Sequence, residues 1–231
     1  MDEAIVTRMV ALFEDIEKCF GKLYEEDDPE CAKCIHIEHC KLFTEAGGIP
    51  DAYKFTKENV LPASNGTTIK SAVFSGDRLY RYSLERIWLE ELPLIMFIGL
   101  NPSTADETDD DPTIRRCVGY ADSWGYGGLI MANLFAYRTP YPRVLLEARD
   151  PVGPENNEWL KKSADRAMMR IAAWGNRGTY MGRGDRVRTL LEKPEKPLHH
   201  LGLTMHKKQP RHPLFSRKNA ERILWQPNVL A

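Results

Sequence analysis

An asparagine at the end of an apolar run is the first residue of this chain that could do chemistry. Residues 94–98 are all apolar, and the run ends in Gly99-Leu100-Asn101-Pro102-Ser103. In open α/β sheets, ligands bind beyond the carboxyl ends of the strands, and glycine and proline tighten the loop that follows. Asn101 is therefore predicted either to contact a substrate or to cap the turn through its own backbone.

A second asparagine follows an apolar run and opens the segment Asn133-Leu134-Phe135-Ala136-Tyr137-Arg138. An amide, an aromatic pair and an arginine can together hydrogen-bond and stack a nucleobase. Aromatic residues in such a segment also fill the core beneath a sheet. From the residues alone, we expect Asn133 in the site and Phe135 in the core.

A basic loop near the carboxyl terminus, residues 204–216, surrounds an apolar tip. Cationic side chains neutralise phosphates, and a tip such as Leu214-Phe215 can insert into a base step. His212 lies between Arg211 and Pro213, where it is predicted to donate a hydrogen bond to charge that develops on a substrate. A purely structural histidine is the alternative.

The loop that follows Asn101 is acidic, with five carboxylates between residues 101 and 112. Such a cluster could bind a metal ion or repel phosphate. Asp111-Pro112 has a plainer interpretation, because aspartate is a favoured N-cap and proline is favoured at the first helical position. We therefore assign Asp111 to capping and keep Asp106 as a candidate site residue.

Four of the five cysteines lie close together, at positions Cys19, Cys31, Cys34 and Cys40. In a chain expected in the cytoplasm, clustered cysteines around a Cys-x2-Cys core favour a metal over disulfides. Four thiolates would complete a structural zinc site, in which His36 or His39 could replace one thiol. An iron–sulfur cluster and four unliganded thiols are the alternatives.

The composition is that of an ordinary globular protein, with 231 residues, 42% hydrophobic and 28% charged. The charge is uneven: residues 1–40 hold eleven acidic and four basic residues, whereas residues 195–231 hold seven basic and two acidic. A basic tail suits a polyanion such as nucleic acid, although a solvated mixed surface is the alternative.

No apolar run has the length of a membrane span, and the start lacks signal-peptide features, so we expect a cytoplasmic protein without a membrane partner.

The periodicity of apolar residues predicts the elements that must position these side chains. A helix at 4–20 and the cysteine loop form an amino-terminal metal module (1–45), followed by a linker (46–66). Residues 67–231 are predicted to form a three-layer α/β/α domain around a central, mainly parallel sheet. Its predicted strands are 69–74 and 78–82, which form a hairpin, then 94–100, 128–133, 170–174 and 198–203. Its predicted helices are 113–124, 143–147, 156–169 and 185–191.

The segment from Arg81 to Phe215 resembles the family catalogued as domain of unknown function 1643. The resemblance rests on the strings Arg81–Arg86, Gly99–Asp106, Asp110–Arg116, Asn133–Arg138 and Arg211–Leu214. These strings cover most of the α/β domain, and the cysteine-rich part lies outside them.

The pattern is also similar to that of the uracil-DNA glycosylase superfamily. Its first site motif is Gly-x-Asn-Pro-Gly in mismatch-specific members, and its second is His-Pro-Ser or Asn-Pro-Ser, ahead of an intercalating loop. Residues 99–103 would match the first motif and residues 212–214 the second. The resemblance implies that a nucleotide is extruded into the crevice, where Asn101 orients water or binds the base. His212 would stabilise anionic charge on the departing base.

The resemblance also implies a set of substrate contacts. Phe135 would stack on the base, Asn133 would read its edge, and Leu214 and Phe215 would fill the gap left in the DNA. The predicted substrate-binding set is completed by Ser103, Asp106, Arg138 and Arg211. Three features depart from the glycosylase pattern: a water-activating aspartate is absent from the first motif, leucine replaces serine in the second, and the acidic loop is additional. These departures favour cleavage that is weakened, redirected or lost.

The sequence therefore predicts a base-directed DNA enzyme, glycosylase-like, that acts on a modified or mismatched pyrimidine. One alternative is a transferase that modifies pyrimidines in viral DNA. Another is a nucleic-acid-binding protein without catalysis. A third is an enzyme of free nucleotides or other small molecules, in which the acidic loop would hold a divalent cation.

Overall fold

The computed structural model describes residues 68–194 and 196–225. The predicted metal module and linker lie outside the described residues, and so do the four proposed metal ligands Cys19, Cys31, Cys34 and Cys40. Within the described ranges, no helix is long and apolar enough to cross a membrane.

Seven strands in the described part of the chain form one mixed sheet. In chain order they are β1 (Ile69–Phe74), β2 (Arg81–Ile87), β3 (Leu94–Gly99), β4 (Gly128–Asn133), β5 (Met169–Ala172), β6 (Leu198–His200) and β7 (Ile223–Leu224). Their order across the sheet is β1-β2-β4-β3-β5-β6-β7. The central four (β4, β3, β5 and β6) are parallel, whereas β1, β2 and β7 pair antiparallel with their neighbours. A mixed α/β fold with parallel strands at its centre confirms the coarse prediction.

Helices pack on both faces of this sheet. The α-helices described are α1 (Pro112–Ser123), α2 (Pro142–Glu147), α3 (Asn156–Arg166) and α4 (Arg183–Leu190), and short 3₁₀ segments span Asn176–Gly182 and Pro213–Phe215. Successive side chains of a strand point to opposite faces. Ile95 and Phe97 of β3 accordingly pack in one core cluster with α1, while Met96 and Ile98 pack in a second cluster with the other three helices. Burial on both faces explains why β3 is apolar at nearly every position.

The predicted hairpin is present, but its second strand is longer than the sequence indicated. The backbone N–H of Ser75 donates to the carbonyl of Tyr80 at 3.0 Å and closes the turn. β2 begins at Arg81 instead of Arg78 and continues to Ile87 instead of ending at Tyr82. The apolar pattern missed this extension because it contains Arg86, a buried charged residue that the structure accommodates through hydrogen bonds.

The parallel strands bring distant loops to one edge of the sheet. The loops that follow β3, β4, β5 and β6 begin at the carboxyl ends of these strands, so they lie on the same side. β2 runs opposite to β4, and its first residue, Arg81, therefore lies at this edge as well. Asp111 caps α1 as predicted, since its side chain accepts a hydrogen bond from the N–H of Ile114 at 2.9 Å.

Candidate substrate crevice

A crevice of about 590 Å³ opens at the carboxyl ends of the parallel strands. Ligand pockets have volumes of roughly 300–1,000 Å³, so this one has the size of a small-molecule site. It brings together predicted site residues from three loops that are far apart in the sequence. Those that line it are Asn101, Ser103, Asn133, Arg211, His212, Leu214 and Phe215.

Asn101 holds two of these loops together and also faces the crevice. Its Nδ2 donates to the carbonyl oxygens of Pro102 at 2.9 Å and Thr139 at 2.7 Å. The N–H of Thr139 donates back to the carbonyl of Pro102 at 2.9 Å. Because both amide hydrogens are engaged, the Oδ1 atom is the group left to accept a hydrogen bond from a ligand. The turn role proposed as an alternative for Asn101 is therefore present.

Asn133 offers the complementary group. Its Oδ1 accepts a hydrogen bond from Nη2 of Arg81 at 3.3 Å. Its amide hydrogens have no partner within the described part of the chain, so Nδ2 can donate to a ligand. A Cβ at position 99 would lie 2.7 Å from this Nδ2, which explains why glycine ends β3. Asn133 thus contributes a donor where Asn101 contributes an acceptor.

Arg81 is a buried cation in the wall of the crevice, which sequence reasoning did not select. Only 2% of the residue is exposed, and its Nη1 donates to the carbonyl of Ala105 at 2.8 Å. Burial lowers the pKa of Arg81 to about 10, an effect that Asp111 partly opposes. The guanidinium therefore stays charged at pH 7. The available signal was its place at the start of Arg81–Arg86, one of the strings on which the family resemblance rests.

His212 is neutral and presents one N–H group. Its Nδ1 accepts a hydrogen bond from the N–H of Leu214 at 3.3 Å, so the side chain caps the 3₁₀ segment Pro213–Phe215. An accepting Nδ1 carries no proton, which assigns the ring proton to Nε2. Burial lowers the pKa of His212 below its ordinary value, and Asp111 partly opposes this effect. Nε2 can therefore donate to a ligand without a change of protonation.

The mouth of the crevice is basic and apolar. Arg177 and Arg211 are exposed and line it, and Phe215, which is 81% exposed, lies beside the His212 ring at a centroid distance of 5.8 Å. Asp111 is the one carboxylate among the described lining residues. Three arginines against one carboxylate give the crevice a positive potential.

Trp174 forms another part of the wall that sequence reasoning did not select. Its Nε1 donates to Oε1 of Gln209 at 2.9 Å, and the N–H of Gly175 donates to the carbonyl of Pro210 at 2.7 Å. These contacts join the loop after β5 to the basic loop. The sequence predicted that both loops would meet, but no pattern singled out the tryptophan.

Three predicted substrate-binding residues shape the loops or the core and do not line the crevice. Phe135 is fully buried in the second core cluster, 5.5 Å from the Tyr180 ring, as its own pattern suggested. Asp106 accepts hydrogen bonds from the N–H groups of Asp109 and Thr108, which lower its pKa to about 2. Arg138 donates to the carbonyls of residues 103 and 104.

The acidic loop is organised by arginines. Arg86, which is 1% exposed, donates to Oδ1 of Asp110 at 2.7 Å and to the carbonyl of Asp106 at 2.7 Å. Arg78 pairs with Glu107 at 2.7 Å. Within the described ranges, no group of three or more histidine, cysteine or acidic side chains could hold a metal ion. These carboxylates therefore stabilise the loop.

Comparison with known proteins gives a family and no closer relative. No curated protein and no solved structure matches the chain. The family model described as "Protein of unknown function (DUF1643)" matches residues 81–214, which is more than half of the chain and includes the residues of the crevice just described, from Arg81 to Leu214. The chain belongs to the DUF1643 family.

Proposed function

We propose that the crevice receives a pyrimidine base extruded from DNA, and that the protein acts on the glycosidic bond or the ring of this base. The observation that carries the proposal is the convergence of Asn101, Asn133 and His212 on one crevice with a basic mouth. The resemblance to uracil-DNA glycosylases belongs to this proposal, as do a cytoplasmic location and a structural zinc at the four amino-terminal cysteines.

The hydrogen-bonding groups of the crevice suit a pyrimidine imide. Asn101 offers an acceptor, while Nδ2 of Asn133 and Nε2 of His212 offer donors. An imide edge presents two carbonyl oxygens and one N–H, which is the complement of this set. Bases that are flipped out of a duplex are read in this way, through their Watson–Crick edge.

The basic and apolar mouth suits the strand that carries the base. Arg177 and Arg211 can contact phosphates on either side of the extruded nucleotide. Leu214 and Phe215 are exposed next to His212, where they can occupy the space that the base leaves in the stack. Phosphate contacts of this kind position the strand and make the binding salt-dependent.

In the glycosylase reaction, water adds to C1′ of the deoxyribose and the bond from C1′ to the base breaks. The electron pair of that bond goes to the base, which then takes up a proton. His212 would stabilise the base anion through a neutral N–H donor, a contribution worth roughly 10²–10³ in rate for comparable donors. Oδ1 of Asn101 is bound to the imide N–H in this arrangement, so the water would be oriented by Asp111, which also lines the crevice. Asp111 has one oxygen engaged in the α1 cap, so its second oxygen could accept the proton of the water.

The test is incubation of the purified full-length protein with DNA oligonucleotides, followed by intact mass spectrometry. The set contains single strands and duplexes with uracil, mismatched, oxidised or hydroxymethylated pyrimidines. We expect loss of the base and an abasic product, or a gain of mass on the base if the protein is a transferase. His212→Ser retains a capping oxygen but removes the Nε2 donor, and Asn101→Ala removes the acceptor, so both should abolish the product.

His206→Ser is the matched control, because His206 is exposed on the same loop and does not line the crevice. If DNA binds but no oligonucleotide changes, and binding survives His212→Ser and Asn101→Ala, the protein is a binding module. If activity requires no DNA and vanishes with a chelator, the free-nucleotide alternative holds.

A further inference from the structure

Arg81 combines burial, a position in the crevice wall and the absence of an ion pair. Its guanidinium has five N–H donors. One donates to the carbonyl of Ala105 and one to Oδ1 of Asn133, the latter at a long 3.3 Å. Its Nε is buried and has no hydrogen-bond partner among residues 68–194 and 196–225. A buried guanidinium with unsatisfied donors is unfavourable unless an anion neutralises it.

The described chain supplies no such anion. Asp111 and Asp106 act on Arg81 only through space, and neither forms an ion pair with it. One oxygen of Asp111 is engaged at the start of α1, and Asp106 is engaged by its own loop and by Arg138. Arg138 and Arg86 also act on Arg81 through space, and Arg86 is itself paired with Asp110. The charge of Arg81 is therefore the one in this group that no ion pair of the described chain neutralises.

The position of Arg81 distinguishes it from the other arginines of the crevice. Arg177 and Arg211 are exposed at the mouth, where solvent screens their charge. Arg81 lines the crevice together with Asn133, Gly99 and Met131, which are buried as it is, and we call this buried part, at β2, β3 and β4, the closed end. An anion at this end would interact in a low dielectric, where a charge-assisted and bidentate hydrogen bond to arginine is strongest.

We propose that the closed end of the crevice is an anion subsite, in which Arg81 binds an acidic substituent carried by the substrate base. The substituent is an oxyanion, either a planar carboxylate or a tetrahedral phosphate. Either one can accept hydrogen bonds from two N–H groups of the guanidinium. This inference rests on the proposed function for the pyrimidine itself and adds the class of substrate: a pyrimidine with an acidic group attached to its ring. A neutral base would leave the Arg81 charge uncompensated.

The test compares acidic and neutral pyrimidine nucleosides that differ in one group. Isothermal titration calorimetry of the full-length protein measures Kd for 5-carboxy-2′-deoxyuridine, its phosphorylated hydroxymethyl counterpart and neutral 5-hydroxymethyl-2′-deoxyuridine. We expect one of the two acidic nucleosides to bind at least tenfold more tightly than the neutral one. The tighter acidic nucleoside identifies the oxyanion as carboxylate or phosphate.

Variants assign the preference to a residue. Arg81→Gln should bring the acidic and neutral nucleosides to similar Kd values, and Arg81→Lys, which keeps the charge but loses the planar fork, should retain part of the preference. Arg143→Gln is the matched control, because Arg143 is exposed and does not line the crevice, and it should retain the preference in full. Arg177→Gln and Arg211→Gln, the two mouth variants, test whether the mouth carries the preference instead. Circular dichroism checks that Arg81→Gln folds. If it does not fold, the preference for acidic nucleosides is compared among the wild-type protein, Arg81→Lys and the two mouth variants, and this comparison assigns the residue.

Equal affinity of the wild-type protein for acidic and neutral nucleosides would overturn the proposal, and so would a preference that only the mouth variants remove. This test is independent of the test of the proposed function, because nucleoside binding requires no DNA and no turnover. A preference for acidic nucleosides that depends on Arg81, without any oligonucleotide product, would contradict only the proposed DNA enzyme. An abasic product without a preference for acidic nucleosides would contradict only the anion subsite.

Discussion

At the scale of single residues, buried histidines control how the fold responds to acid. His199 lies in β6 and is 8% exposed, and burial lowers its pKa to about 4. Burial lowers the pKa of the neighbouring His200 as well. An unfolded chain takes up these protons near pH 6.5, whereas the folded chain takes up the His199 proton only near pH 4. The unfolded state therefore binds more protons in this interval, and stability falls as the pH falls.

We expect full stability above about pH 6.5 and a progressive loss as the pH approaches 4. A decrease in pKa from 6.5 to about 4 corresponds to about 3 kcal/mol of unfolding free energy. The measurement is the urea midpoint at pH 7, 6, 5 and 4.5. His199→Gln, which does not titrate, should show a shallower dependence on pH than the wild-type protein. His206→Gln changes an exposed histidine and should leave the wild-type dependence intact; equal slopes for all three proteins would contradict the assignment.

At the scale of elements, replacing a glycine by alanine is expected to change stability in opposite directions in two helical segments. Gly178 lies in the 3₁₀ segment Asn176–Gly182, and a Cβ there would lie 2.0 Å from Cδ1 of Trp174. Gly119 lies in α1, and a Cβ there would meet nothing within 4 Å. Gly178→Ala should cost about 1–3 kcal/mol through overpacking. Gly119→Ala should add about 0.5–1 kcal/mol, because alanine is the better helix former.

Urea unfolding of the two variants checks this pair. Because Trp174 also lines the crevice, Gly178→Ala should shift tryptophan fluorescence in the folded state, and Gly119→Ala should not. Unchanged stability of Gly178→Ala would mean that the indole does not pack over Gly178, and destabilisation by Gly119→Ala would mean that the space at position 119 is not open.

The acidic loop is predicted to depend on one buried arginine and not on a cation. Arg86 joins β2 to Asp110 and to the carbonyls of Asp106 and Asp109. Arg86→Met leaves a partly buried carboxylate and several carbonyls without a donor, so we expect a loss of about 3–5 kcal/mol. Arg78→Met, which breaks an exposed pair with Glu107, should change the melting temperature little. Recovery of Arg86→Met by Mg²⁺, measured by thermal melting, would instead support a cation site.

The sequence predicted strands and helices well where apolar residues repeat with the period of that element and are buried in the fold. The apolar strand Gly128–Asn133 was predicted with its observed bounds, and the Asp111 cap placed the start of α1 to within a residue. β2 was predicted too short because Arg86, a buried charged residue, interrupts the apolar pattern in its second half. β7 was not predicted at all, since a strand of two exposed residues carries no periodic signal.

At the scale of the whole molecule, topology explains which part of the site the sequence could predict. Parallel strands send their carboxyl ends to one edge, so the apolar runs alone are enough to place Asn101 and Asn133 together. The same pattern does not place Arg81 there, because this residue begins a strand and reaches the crevice only through the antiparallel pairing of β2 with β4. The balance of charge in the crevice is likewise a property of the assembled loops and not of any one segment.

The last prediction concerns the metal proposed for the amino-terminal cysteines. Four closely spaced thiols would complete a tetrahedral zinc site, and zinc binding requires deprotonated thiolates. Metal analysis of the purified full-length protein should find one zinc per chain. Cys34→Ser should lose most of this zinc, because it removes one thiolate of the Cys-x2-Cys core.

Cys117→Ser is the matched control for the metal. Cys117 is fully buried in α1, where burial raises the pKa of its thiol well above the ordinary value, so this residue stays protonated and unavailable as a ligand. The control should therefore keep its zinc. Zinc that persists in Cys34→Ser would exclude the proposed ligand set, and iron with acid-labile sulfide in place of zinc would identify an iron–sulfur cluster. Because the readout is metal content, it decides the question independently of any activity at the crevice.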